Sequence, residues 1–242
     1  MVIIMNSNKE TNEIIENDTL TAEVKKNPVS EAFDYLEIFV LAAAVVLLLF
    51  TVGIRICTVD GNSMYDTLEH KQMLVVSDVF YTPDNGDIIV FHQSDNQNPN
   101  LNKPLVKRII ATEGQYIKYK YTFTECSDHT DVYYLKMDVW VSDDATFEDS
   151  EKLDESYIDF EAISIKNEFD SLAQNYSYYL SKCEKTADGE YVFQTEVPEG
   201  HVFVMGDNRF GSDDSRLGVG FVDNRCILGK VAFRLFPFGK VE

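Results

Sequence analysis

One long uncharged segment near the N-terminal end constrains this sequence most strongly. Residues Ile38–Ile54 read IFVLAAAVVLLLFTVGI and contain no charged side chain. An amphipathic helix of a soluble protein keeps a polar face, and this segment has none. A helix of about 17–25 apolar residues can cross a bilayer. With Glu37 and Arg55 reaching toward the lipid head groups, the pattern predicts a membrane-spanning helix over residues 36–56.

The residues before this segment distinguish a cleaved signal peptide from a permanent anchor. A signal peptide begins with a short basic region and ends at a small-x-small site. Here residues 1–35 are mostly polar, and no Ala-x-Ala follows the apolar segment. We therefore predict an uncleaved signal anchor that crosses the cell membrane once. Lys25 and Lys26 favour a cytoplasmic N-terminus, with residues 1–35 disordered and the domain after the anchor outside the cytoplasm.

The charge balance limits the partners of the chain. Its 242 residues include 41 acidic and 21 basic side chains, a net charge of −20, which argues against nucleic acid as a partner. Residues 121–199 contain 20 of the acidic side chains and five lysines. We interpret this segment as a solvated acidic insertion subdomain. It contains no Asp-x-Asp-x-Asp-Gly loop, and no metal site is expected.

The cysteines do not form a metal or redox motif. Their positions are 57, 126, 183 and 226, and no two of them form a Cys-x-x-Cys pair. A location outside the cytoplasm permits disulfides. Cys126 and Cys183, both in the acidic insertion, are the first pair to test, and the three possible full pairings stay open.

Short apolar runs separated by turn residues predict a mainly β fold after the anchor. Leu105–Ala111 (LVKRIIA) is a mainly apolar run that contains two basic residues, and Tyr116–Phe123 alternates aromatic and polar residues. The other predicted strands are Met73–Phe80, Asp87–Phe91, His201–Met205 and Ile227–Phe236. We expect an antiparallel β core formed by residues 57–120 and 200–242. The insertion is predicted to be partly helical, within Phe147–Leu180.

Three segments concentrate residues that can perform chemistry. Ser63 follows a glycine-containing turn in VDGNSMYDTL (59–68), and Lys107 lies within the apolar strand LVKRIIA. The third segment, MGDNRFGSDDSRLGVGFV (205–222), combines glycines, acids, two arginines and two serines. Strand alternation places Lys107 on the same face as Leu105 and Ile109. A buried lysine is costly, so that it is usually paired or functional.

In this order the segments resemble the type I signal peptidase family, membrane-bound serine proteases with a Ser–Lys dyad. The matching motifs are GNSMYDTL, GDIIVF, VKRIIATEG and GDNRFGSDDSR, followed by GKVAFRLFPF. The resemblance implies an endopeptidase that removes N-terminal signal peptides from exported preproteins after small-x-small sites. Ser63 would be the nucleophile and Lys107, in its neutral form, the general base. The resemblance implies no cofactor, and it leaves any protein partner undefined.

The resemblance also implies supporting residues. Ser212 matches the serine that orients the lysine, and Asp214, Arg216 and Asp207 would brace the loop around it. Gly61 stands where some members have a serine that donates to the oxyanion, which leaves the second oxyanion donor open. Asp66 replaces the usual proline, so that the turn is either looser or held by a hydrogen bond from Asp66.

A lysine can act as a base only when it is neutral. With a pKa of ~10.4, only about one lysine in 2,500 is neutral at pH 7. Lowering the pKa to ~8 requires about 3 kcal/mol of preference for the neutral form, which burial among apolar side chains can supply. Leu105, Val106 and Ile109 are suitable local walls.

An extended substrate peptide can add to an exposed strand edge, with shallow pockets for alternate side chains. The apolar positions predicted to line these pockets are Val59, Met64, Leu68, Leu105 and Val106, with a place in the ordinary core as the alternative for each. Aromatic residues near Phe80, Tyr81 and Phe236–Phe238 could contact the lipid bilayer or belong to the core.

Two other functions fit parts of the pattern. A specialised Ser–Lys peptidase that matures a pilin or a conjugation protein would carry nearly the same motifs. A non-catalytic, membrane-tethered binding module would use the acidic insertion as its binding surface, and the retained Ser63 and Lys107 argue against it.

Overall fold

The computed structural model describes residues 28–93, 102–125, 132–158, 165–166 and 177–241. The chain divides into two compact units, Met1–Val46 and Leu47–Glu242. The sequence predicts disorder for residues 1–35. Residues 1–27 lie outside the described residues, and the prediction is wrong for residues 28–35, which are helical.

The first element is a long helix, α1 (Pro28–Val52). Proline suits the first position of a helix because its missing N–H is not needed there, and Gly53 follows the last helical residue. Large apolar side chains such as Phe39 and Leu47 are exposed on it. No helix in the described part of the chain is both long enough and apolar enough to cross a membrane.

The predicted boundary at residue 56 is wrong. The helix ends at Val52, and strand β1 (Ile54–Thr58) pairs with the next strand instead of continuing the helix. The physical reason is local: Gly53 disfavours helix continuation, and the following residues include the β-branched Ile54, Ile56 and Thr58, which favour strand geometry.

Two antiparallel sheets form the second unit. The strands after β1 are β2 (Met73–Ser77), β3 (Ile88–Phe91), β4 (Leu105–Ala111), β5 (Tyr116–Glu125), β6 (Val132–Ser142), β7 (Ile165–Lys166), β8 (Glu184–Lys185), β9 (Tyr191–Glu196), β10 (His201–Met205), β11 (Val222–Asp223) and β12 (Ile227–Phe236). The first sheet has the strand order β1-β2-β12-β3-β4-β10-β11, and the second has the order β7-β6-β5-β9-β8. The predicted mainly β fold is confirmed.

The described residues of the acidic insertion are mostly strand and turn. The predicted helical region Phe147–Leu180 contains, among its described residues, one short helix, α2 (Ser177–Leu180). Phe147 has a φ of 58°, outside helical geometry, and Lys152 forms a bridge with Trp140. The prediction of a longer helix there is wrong over residues 147–158, because the apolar spacing follows no regular helical period.

The inner face of the second sheet packs against β10. Tyr119, Tyr121 and Met137 share a buried cluster with Phe203 and Met205. Two further clusters fill the first sheet, one around Leu74 and Val90 and the other around Ile89 and Ile109. The loop that follows β10 therefore emerges between the two sheets, next to the strand that carries Lys107.

Candidate active site

Ser63 lies on a loop that β1 and β2 hold closed at its base. The Val59 N–H donates to the Gln72 carbonyl at 2.9 Å, and the Lys71 N–H donates to the Val59 carbonyl at 2.9 Å. Gly61 has a φ of +111°, which a residue with a side chain rarely adopts. The Gly61 N–H donates to His70 Nδ1 at 3.2 Å. The turn therefore presents Ser63 with a fixed backbone.

Lys107 reaches Ser63 from strand β4. Its Nζ lies 2.8 Å from Ser63 Oγ and 2.9 Å from the Val106 carbonyl oxygen. Lys107 is only 2% exposed, and it pairs with Ile89 of β3 across the sheet. The two residues predicted from the sequence are thus in direct contact.

Burial changes the acid–base behaviour of this amine. Loss of solvent contact lowers the pKa of Lys107 to about 8, although the negative charges of Asp214, Asp213 and Asp207 oppose the shift. With that pKa, about one lysine in ten is neutral at pH 7, against about one in 2,500 for an ordinary lysine. The site thus provides a base that is available near neutral pH.

The loop after β10, residues 206–216, is named here the signature loop. It approaches Ser63 closely, because a Cβ on Gly206 would collide with the Ser63 carbonyl and the Ser212 hydroxyl. The Asn208 N–H donates to the Ser63 carbonyl at 3.1 Å, and Asn208 Nδ2 donates to the Asn62 carbonyl at 3.1 Å. The signature loop therefore holds the turn that carries Ser63.

A fully buried ion pair stabilises the signature loop from within. Arg216 donates from Nε to Asp214 Oδ1 at 2.9 Å and from Nη2 to Oδ2 at 2.7 Å. Asp214 also accepts the Gly206 N–H at 3.0 Å. Burial alone would raise the pKa of Asp214, but the Arg216 charge and these hydrogen bonds bring its pKa below the usual value. Asp214 is thus an ionised anchor for the loop.

A second buried ion pair joins the signature loop to β4. Arg108 donates to the two carboxylate oxygens of Asp207 at 3.0 and 2.8 Å. The hydroxyl of Thr67, from the turn after Ser63, donates to Asp207 at 2.5 Å. The sequence suggested that Asp207 would act together with Asp214 and Arg216. The structure pairs it with Arg108 instead.

Known proteins resemble this chain over most of its length. The family model described as signal peptidase, peptidase S26, matches residues 32–236. The chain belongs to this signal peptidase family.

Curated relatives agree with that assignment. Signal peptidase I of Bacillus caldolyticus is 34% identical over 188 residues, which cover 74% of this chain and 78% of that protein. Signal peptidase IB of Staphylococcus aureus (strain COL) is 27% identical over 217 residues, which cover 86% of this chain and 93% of that protein. The family and these relatives support type I signal peptidase activity, which is that of a serine endopeptidase.

A solved signal peptidase I from Enterococcus faecalis V583 is 24% identical to this chain. The match covers 62% of this chain and 97% of that one, with a TM-score of 0.28. That score is too low to inform the fold.

A small cavity of ≈ 70 Å³ lies beside the dyad of this signal peptidase. Val59, Leu105 and Val106, three of the five predicted pocket residues, line it together with Ser63 and Lys107. The other two predictions are corrected: Met64 and Leu68 are buried in the core with Leu74 and Val76. Their side chains point inward because the turn needs apolar groups beneath it to pack on β2.

Ser212 is buried beside the dyad without a direct bond to the lysine. Its hydroxyl adds to the stabilisation of the Asp214 carboxylate, but no group in the described chain meets it with full hydrogen-bond geometry. Asp66 is exposed, and no hydrogen bond of its side chain occurs among the described residues. Cys183 carries a free thiol, and Cys126, its suggested partner, lies outside the described residues.

Sequence reasoning missed Arg108, Thr67, Gly206 and Asn208 as parts of the signal peptidase site. Arg108 carried a usable signal, because a second charge in an apolar strand also needs a partner when its face is covered. The two bonds from Asn208 to the Ser63 turn join residues far apart in sequence, so that no local pattern could reveal them.

Proposed function

We propose that Ser63 is the nucleophile and Lys107 the general base of this signal peptidase. The observation that carries the proposal is the 2.8 Å contact between Lys107 Nζ and Ser63 Oγ at a buried site. A pKa of about 8 allows the lysine to accept the serine proton near neutral pH. No histidine is needed for this step.

The proposed reaction follows the geometry of the dyad. Ser63 Oγ attacks the scissile carbonyl while Lys107 takes its proton, and the resulting ammonium returns a proton to the leaving amine. Water, activated by the neutral lysine, then hydrolyses the acyl-enzyme. Within the described chain the Ser63 N–H makes no hydrogen bond, which supports a role for it as a donor to the oxyanion.

We propose signal peptides of exported preproteins as the substrates, cleaved after small-x-small sites. The cavity of ≈ 70 Å³ beside the dyad supports this specificity, because it suits a small side chain better than a large one. Val59, Leu105 and Val106 would contact the peptide, which lies extended beside residues 57–60 and 104–107.

We propose the lipid bilayer as the location of the enzyme, with the apolar segment as a single-pass anchor, the N-terminus in the cytoplasm and the catalytic domain outside it. The uncharged run Ile38–Ile54 and the exposed apolar side chains of α1 support the anchor. The exposed rings of Phe80, Phe236 and Phe238 support lipid contact by the domain. Tyr81 does not share this exposure, since its hydroxyl donates to Asp87.

The test is turnover of a synthetic signal peptide with an Ala-x-Ala site by the full chain in detergent. We expect cleavage after that site, and a loss of at least about 1,000-fold in kcat for both Ser63→Ala and Lys107→Met. Circular dichroism of each variant controls for folding. Cleavage at full rate by either folded variant would refute the dyad, and an inactive but folded wild-type chain would refute the proposed function.

A further inference from the structure

We propose that Glu155 and Tyr157, in the acidic insertion, are positioning residues that hold the Ser63–Lys107 dyad through Arg209 and Arg108. The inference rests on the proposed function of the dyad. The sequence motifs leave the role of the acidic insertion undefined. Both residues act through other groups, since neither touches Ser63 or Lys107.

The first connection runs from Glu155 through Arg209. Their ion pair is almost fully buried, with side-chain exposures of 7% and 1%. Arg209 Nε donates to the Gly206 carbonyl at 3.1 Å. Gly206 is the residue that has no room for a side chain beside the Ser63 carbonyl. A displacement of Arg209 would therefore shift the backbone against which the nucleophile rests.

Arg209 also links Glu155 to the inner ion pair. Its carbonyl accepts a hydrogen bond from Arg216 Nη2 at 2.7 Å, and Arg216 holds Asp214. Among the described residues Glu155 is the only carboxylate that pairs with Arg209. Removal of the Glu155 charge would leave a buried guanidinium without a counter-ion, which is unfavourable.

The second connection runs from Tyr157 through Arg108. The guanidinium of Arg108 lies 3.9 Å from the centre of the Tyr157 ring, a cation–π contact. Arg108 holds Asp207, and the neighbouring Asn208 bonds the Ser63 carbonyl. The Tyr157 hydroxyl donates to Glu155 at 3.3 Å. One short segment of the insertion thus contacts both arginines that support the dyad.

Other acids of the insertion make a different kind of contact. Glu190, for example, pairs with Lys120 at 2.9 Å, with both side chains about one third exposed. This pair lies on the second sheet and contains no residue of the signature loop. Glu190→Gln is therefore a matched control, because it removes one insertion carboxylate and one ion pair without altering the contacts of the dyad.

The first experiment measures peptide cleavage by full-length Glu155→Gln, Tyr157→Leu and Glu190→Gln chains in detergent. We expect Glu155→Gln to lower kcat by about 10- to 100-fold, the scale of a small misplacement of reacting groups, with KM within about threefold of wild type. Tyr157→Leu should act in the same direction, and Glu190→Gln should match wild type. Unchanged kcat in folded Glu155→Gln overturns the inference.

A double variant tests whether Glu155 acts through Arg209. If it does, Glu155→Gln combined with Arg209→Gln should lose no more activity than the more impaired single variant. If the fold-losses in kcat of the two single variants multiply in the double variant, the two residues act independently. That result would overturn the connection through Arg209. The proposed function fails if wild type and Glu190→Gln are both inactive. This inference alone fails if both are active and Glu155→Gln is equally active.

Amide hydrogen exchange gives a readout that does not depend on activity. In Glu155→Gln we expect exchange at Gly206 and Asn208 to be at least about tenfold faster, because local opening becomes easier. Strands β5 and β9 should keep wild-type exchange, as should the whole Glu190→Gln chain. Equal acceleration across both sheets would indicate a general loss of stability and would overturn the positioning role, as would no change at these two amides.

Discussion

The charged groups around the dyad and those on the outer face of the second sheet differ in their burial and therefore in their effect. Asp214 and Arg216 form a pair with no exposed side-chain surface. On the second sheet, Asp138 is 17% exposed and pairs with Lys136 and Lys152, whose side chains are about half exposed. Removal of one member of a buried pair leaves an uncompensated charge, whereas water replaces an exposed partner at little cost. A large number of acidic residues thus says less about function than the few that are buried.

The largest effect is expected from breaking the inner pair. Asp214→Asn should lower the free energy of unfolding by about 3–5 kcal/mol, because Arg216 would stay buried without a counter-charge. Chemical denaturation followed by circular dichroism measures this change. A loss below about 1 kcal/mol would place Asp214 in the same class as an exposed acid.

Two glycine substitutions test sterically whether a change beside the dyad has a larger effect than a change on the insertion. Gly206→Ala should cost about 1–3 kcal/mol by overpacking and should also lower kcat, since the new Cβ meets the Ser63 carbonyl. Gly189→Ala is the control: Gly189 has a φ of +83° and open space around it. That variant should lose stability through backbone strain and keep kcat. Equal kcat values for the two variants would contradict the close contact at Ser63.

The pH profile compares two lysines. In the proposed mechanism neutral Lys107 is the active form, so that kcat/KM should rise about tenfold per pH unit below its pKa and level off above it; that pKa is about 8. Lys120, which pairs with Glu190 on the second sheet, supplies the control Lys120→Met, which should leave the profile unchanged. A flat profile below pH ~8 would argue against Lys107 as the base.

The smallest effect is expected on the outer face of the insertion. Asp138→Asn breaks the contacts with Lys136 and Lys152 and should change the free energy of unfolding by less than about 1 kcal/mol. Cleavage of the signal peptide should stay at the wild-type rate. A stability loss as large as that of Asp214→Asn would remove the distinction between buried and exposed charge.

Local patterns predicted the parts of the fold that depend on short-range sequence. The apolar run Leu105–Ala111 matches β4 at both ends, and His201–Met205 matches β10. Lys107 was identifiable from the sequence because a charged side chain inside an apolar strand is costly to bury unless it is paired or functional. Strand β6 was missed, although Leu135, Met137 and Val139 alternate with polar residues along it.

Contacts between distant segments could not be predicted. Arg108 and Asp207 form a pair although they lie 99 positions apart in the sequence. They can meet only because β4 and β10 are neighbouring strands in the folded sheet. Met64 looked like a pocket residue for the same reason: composition shows that a residue is apolar but not which side of a turn it faces. The irregular segment 147–158 follows its contacts with β6 and the signature loop and not its own periodicity.

The bond between Lys107 and the Val106 carbonyl sets the direction of the proposed base. A neutral amine has two N–H groups and one lone pair, and a hydrogen held by the backbone of its own strand leaves the lone pair free to turn toward the Ser63 hydroxyl. The strand thereby aims the proton acceptor as well as burying it.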